Sequence, residues 1–153
     1  MPAGSGYWIE EGMLSNTIRN RDEDQDGKVD HVCFTVRNQF LHPNHPLGWI
    51  RKLDVKLDGQ AIPPKRTYFV LRGQWINVAC MPTITDIWWY MREEAHIYVE
   101  SEGLEPGQLH LVACAFEISL FLHSPIVDRE NIWPRLALEL SSEMMVQDEE
   151  NGG

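Results

Sequence analysis

Apolar and polar residues alternate along much of the chain with a period of two, the spacing that puts every second side chain on one face of a strand. Over residues 29–37, Val32, Phe34 and Val36 share one face, and His31, Thr35 and Arg37 share the other. Over 50–57, Leu53, Val55 and Leu57 alternate with Lys52, Asp54 and Lys56. Over 95–100, Ile97 and Val99 alternate with His96 and Tyr98. The longest run is 108–122, where Val112, Cys114, Phe116, Ile118 and Leu120 oppose Ala113, Ala115, Glu117 and Ser119. Over 136–140, Leu136, Leu138 and Leu140 alternate with Ala137 and Glu139. Turn-forming pairs punctuate the runs: Asp26-Gly27, Asp58-Gly59, Arg72-Gly73, Glu102-Gly103 and Pro106-Gly107. Short strands at this spacing predict an all-β chain, mainly antiparallel, folded as a jelly-roll-like β-sandwich. Residues 83–94 depart from the pattern. They place Ile87, Trp88 and Met91 on neighbouring turns, with Thr83 or Thr85 as a cap, so at most one short helix is predicted there. A lid-like loop is the alternative.

A length of 153 residues fits one domain. The strand pattern places that domain at residues 7–142. The small, polar or acidic residues 1–6 and 147–153 read as flexible termini. Hydrophobic residues make up 43% of the chain, which excludes disorder as its general state. No secretory n-region and h-region occur at the start, and no apolar run reaches membrane-spanning length. The three cysteines, Cys33, Cys80 and Cys114, lie in apolar runs without metal-like spacing. They read as buried thiols in a reducing compartment, so a cytoplasmic protein is expected.

The net charge of −10 argues against nucleic acid and anionic membranes as partners. A basic band nevertheless runs through Arg51, Lys52, Lys56, Lys65, Arg66 and Arg72. It reads first as a solvated strand face, with a docking surface as the alternative.

Asp22, Asp24 and Asp26, followed by Gly27, copy the first half of a calcium loop. Position twelve, where a bidentate acid belongs, is Cys33 inside a predicted strand. The segment therefore reads as a hairpin turn. His42 and His45, in a His-Pro-Asn-His-Pro run, would hold a metal only with a third ligand that nothing in the chain names. Hydrolase, P-loop and dinucleotide motifs are absent. Glu117 stands out among the acids, on the weaker face of the most apolar strand, and reads as an edge or interface acid. No catalytic residue and no metal ligand is assigned to this chain. The aromatic segments are more informative: Trp49 follows the His-Pro loop, Trp88-Trp89-Tyr90 follows a Pro-Thr loop, and Trp133-Pro134 precedes the last strand. Tryptophans beside loops serve as core lids or as contact anchors.

Several segments in order resemble one family. They are Leu14 to Asn20, Asp26-Gly27-Lys28-Val29 leading into Val32 to Arg37, Leu47-Gly48-Trp49-Ile50, and Leu53 to Gly59 with Ile62-Pro63. Further on come Ala95 to Val99 and Gly103 to His110. Over residues 7–140 the chain is similar to the small (β) subunit of bacterial C-glycoside deglycosidases. The resemblance implies a β-sandwich packed on a large (α) subunit, a TIM barrel like the sugar-phosphate isomerases. It implies cleavage of the carbon–carbon bond between a 3-oxo sugar and an aromatic aglycone by metal-assisted acid/base elimination. The divalent metal, expected to be manganese, and the acid/base residues would then belong to the α subunit, with no cofactor in this chain. Residues expected near substrate or the subunit interface are His42, His45, Trp49, Trp88 and Trp89. The competing reading is a stand-alone carbohydrate- or calcium-binding β-sandwich module.

Overall fold

The structure is a computed structural model that describes residues 12–40, 44–119 and 135–147. Among the described residues eleven strands form: β1 (Thr17–Arg21), β2 (His31–Arg37), β3 (His45–Pro46), β4 (Ile50–Leu57), β5 (Gln60–Ile62) and β6 (Thr67–Leu71). They continue with β7 (Gln74–Asn77), β8 (Trp88–Trp89), β9 (Glu94–Glu100), β10 (Leu109–Ser119) and β11 (Arg135–Gln147). Nine of them hydrogen-bond into one sheet in the order β5-β4-β10-β11-β1-β2-β9-β6-β7, while β3 and β8 pair separately. The all-β expectation is correct. The sheet is mixed, because β1 runs parallel to β11 while the other pairings are antiparallel.

Alternation decides the faces. In β10, Val112, Cys114, Phe116 and Ile118 are buried, and Ala113, Ala115 and Glu117 between them are not fully so. The inward residues of β4, β10 and β11 and those of β2, β9 and β6 belong to one core. A flat sheet cannot unite both its ends in one core, so the sheet curls around it, as strongly twisted sheets of many strands do. A register shift of β10 against β4 at Glu117/Ile118 adds local bending. The rings of Phe40 and Phe116 meet across the core at 5.7 Å, edge to face.

Two hairpins close with two-residue turns. Asp58 and Gly59 join β4 to β5 with φ of 50° and 83°, and Arg72 and Gly73 join β6 to β7 with φ of 49° and 78°. Positive φ at both central residues is the twist-matched hairpin turn, for which Gly at the second position removes the Cβ penalty.

Over 83–94, where at most one short helix is expected and a loop is the alternative, no α-helix forms; the described helices are 3-10 turns at Leu47–Trp49, Pro64–Arg66 and Val78–Thr83. Trp88 and Trp89 instead pair with Pro46 and His45, and Arg92 adopts a φ of 63°, outside helical space. Strand β11 runs through Gln147. Cys80 is exposed rather than buried. The three-residue period of its helix turns Val78 and Met81 inward and leaves Cys80 outside. Of the expected flexible stretches 1–6 and 147–153, Gln147 belongs to β11 and the rest lie outside the described residues, as does Trp133-Pro134. No described helix is long and apolar enough to cross a membrane.

Candidate functional site

The two aromatic segments singled out in the sequence meet. His45 stands opposite Trp89, and Pro46 opposite Trp88, in the short β3–β8 ribbon. Leu47 N–H donates to Ile87 O at 2.9 Å and Gly48 N–H to Ile84 O at 2.8 Å, so residues 44–49 and 84–89 form one unit. Trp49 stacks on the His45 ring, 6.0 Å apart and 11° from parallel. His45 and Trp89 are fully buried. The His45 ring lies 6.1 Å from Phe40 and 5.9 Å from Trp89, and its Nδ1 is 3.0 Å from Pro46 O, an acceptor, so Nδ1 carries the hydrogen. Trp89 packs edge-on to Phe69 at 5.1 Å and donates from Nε1 to Glu93 O at 2.8 Å. Buried Asn38 donates from Nδ2 to Trp89 O at 3.1 Å. His45 and Trp89 are therefore supports within the core. His42 lies outside the described residues.

What these supports present is a contact tip. Trp88, Tyr90 and Met91 are 40%, 51% and 60% exposed. Their backbone is tied down: Met91 N–H donates to Asn44 Oδ1 at 2.8 Å and Tyr90 N–H to Glu93 Oε1 at 3.0 Å. Arg72, at the β6–β7 turn, donates to Trp88 O at 2.7 Å, pairs with Glu93 and lies over the Tyr90 ring at 5.3 Å. Large apolar side chains on a fixed backbone lose little entropy when covered, the property of a binding hot spot. Asn38 was not foreseen, and Tyr90, Met91 and Arg72 were named in the sequence without being brought to one place. Their roles depend on pairings across the chain, and the only local signal was the run Trp88 to Met91.

Elsewhere, the acidic segment is the connection between antiparallel β1 and β2. Asp22 and Asp24 accept from Asp26 N–H, and Asp22 also accepts from Gly27 N–H at 2.8 Å. Asp30 accepts from Glu23 N–H and Asp24 N–H and lies 2.6 Å from His31 Nδ1. Burial pushes the Asp30 carboxyl up, but the Glu23 amide, the His31 ring and the Asp24 amide outweigh it, so its pKa is lowered. Asp22, Asp24 and Asp30 each bring an oxygen within 4.8 Å of the others, so these are the residues that could hold a cation. Position twelve supplies no ligand there, since Cys33 sits in β2.

The thiol of Cys33 lies 3.9 Å from His96 Nδ1. Burial pushes that thiol up to about 12, so it stays protonated at neutral pH and is no nucleophile. Several residues of the basic band are engaged within the chain. Arg51 donates to Gly48 O and Pro82 O, Arg66 to Glu100 O, and Arg72 to Trp88 O, while Lys52 reaches Asp54 at 3.4 Å and Glu117 at 3.8 Å.

The curled sheet, with large side chains exposed at its tip, defines an all-β domain. The chain matches the family described as C-glycoside deglycosidase beta subunit over residues 10–120, and it belongs to that family. A search among curated proteins finds no match.

Proposed function

We propose that this chain is the accessory subunit of an enzyme that cleaves the C–C bond between a 3-oxo sugar and an aromatic aglycone, with the chemistry on a TIM-barrel α subunit. The observation that carries the reading is the supported tip of Trp88, Tyr90 and Met91 on a chain of the β-subunit family. A sugar C–C bond offers a poor leaving group, but a 3-oxo group acidifies the adjacent C–H, so proton abstraction can start an elimination. A divalent metal, manganese in this reading, would supply a Lewis acid for the developing enolate from the partner's side. This chain's part is to cover the cleft, exclude water and lay an apolar aromatic surface against the aglycone.

The test is co-expression with the α subunit and turnover of a 3-oxo C-glycoside by the complex. Trp88→Ala and Met91→Ala are expected to lower kcat by about tenfold while the complex still forms, since mispositioning at the reacting centre costs rate. Unchanged turnover in both variants would overturn the role of the tip. The alternative of a free-standing sugar- or calcium-binding module has its own readout. It requires the chain alone to bind glycans or to gain melting temperature as calcium is added.

A further inference from the structure

The outer face of the sheet, turned away from the core, carries two features that the tip does not use. Leu109, Leu111 and Met145 stand 57%, 46% and 38% exposed at positions where alternation calls for polar residues. Leu109 lies opposite Met145, and Met145 opposite Thr17 of β1. Past Thr17 the face dips into a trough of about 500 Å³ between β1, β2 and β9. Arg19 and Arg21, Cys33 and Thr35, and His96 and Tyr98 line it. Arg19 pairs in register with Cys33, and Cys33 with Tyr98, so a guanidinium, a thiol and a phenol follow one another across three strands. Arg21 is held by Glu23 at 2.9 Å.

The lining residues include no carboxylate, on a chain of net charge −10, and the nearby Glu23 is paired with Arg21, so Arg19 is the charge the trough turns toward an occupant. Charge of one sign gathered against the sign of the whole selects an occupant of the opposite sign. The face is mixed, with Thr17 and Thr35 in the trough and Glu143 opposite Leu111, but the exposed Leu and Met beside Arg and Tyr are residue types that interfaces favour. The five strands β10, β11, β1, β2 and β9 are neighbours in one sheet and span about 19 Å at the usual strand spacing.

We infer that this face docks the α subunit, with Leu109, Leu111 and Met145 as its apolar anchors and the Arg19 trough receiving a carboxylate-bearing segment of that partner. The inference rests on the subunit reading and adds a second surface, separate from the tip. The experiment measures the affinity of the full chain for the α subunit at low and high salt. Arg19→Glu is expected to weaken the complex by about tenfold or more and to flatten its salt dependence. The double variant Leu109→Lys, Met145→Lys is expected to weaken it comparably. Leu109 and Met145 are exposed and Arg19 is half-buried, and an unaltered melting temperature of the isolated variants confirms their folding. Turnover at saturating subunit concentration is expected to return to that of the unaltered enzyme, which separates docking from the action of the tip. Affinities within about twofold of the unaltered chain, with the same salt slope, would sink the docking face and leave the subunit reading standing. Self-association of the isolated chain that the same substitutions abolish would also overturn it, by assigning the face to a second copy. Failure of the unaltered chain to form any complex would overturn the subunit reading, and this inference with it.

Discussion

Asp58 shows how much one side chain can organise. It sits in the β4–β5 turn, its Oδ1 accepts from Leu111 N–H at 2.9 Å, and its Oδ2 lies 2.6 Å from His110 Nδ1. The His110 ring foremost, then the Leu111 amide, hold its carboxyl below the usual range against a small opposing effect of burial. Asp30 does the same for the β1–β2 connection, where burial is outweighed by its hydrogen bonds. A carboxylate with a depressed folded pKa contributes stability that is fully present above its unfolded value and lost as pH falls through the folded one. The expected outcome is a melting temperature that drops on acidification through the carboxylate range. Asp30→Asn with Asp58→Asn should start lower at neutral pH and show a flatter acid limb, measured from pH about 7 to about 2. These roles were only half legible. Aspartate before glycine announces a turn, but a partner 52 positions away along the chain does not show in a local pattern.

At the scale of elements, the β3–β8 ribbon is set by its supports. Trp89→Ala should cost about 3–5 kcal/mol, since it leaves a cavity beneath the tip and removes a buried ring. Chemical denaturation of the isolated chain checks it. Asn20 plays a comparable part for the β9–β10 connection. Its Nδ2 donates to Leu104 O and its Oδ1 accepts from Leu104 N–H, both at 2.8 Å, and the residue is buried. Asn20→Leu should cost about 1–3 kcal/mol by leaving the Leu104 amide groups unmade, with faster hydrogen exchange of residues 101–107 as the local readout. The strands themselves were readable from period two. The segment 83–94 reads as either a short helix or a loop, because its apolar spacing fits both, and the pairing of Trp89 with His45 and its hydrogen bonds to Asn38 and Glu93 decide for an extended turn.

At the scale of the whole molecule, one core draws on strands from both ends of the sheet. Phe116 sits at its centre, nearly fully buried and against Phe40. Phe116→Ala should cost about 3–5 kcal/mol and lower subunit binding only through loss of folded chain, seen as full recovery of the complex under stabilising conditions. Membership of the β-subunit family makes the surfaces the functional question. The tip of Trp88, Tyr90 and Met91 and the outer face around Arg19 and Leu109 are distinct places, and kinetics and affinity read them separately.

The sequence by itself determined the all-β class, the faces of the strands, the hairpin turns at Asp58-Gly59 and Arg72-Gly73, and the family. Each of these is written in neighbouring residues: alternation, positive φ at glycine, and ordered motifs. Only the tertiary structure decided that β1 pairs parallel with β11, that nine strands make one curled sheet, and that His45 and Trp89 lie inside while Trp88 lies outside. Those outcomes are contacts between distant segments. The free energy of closing one core selects among pairings that the local pattern leaves equal.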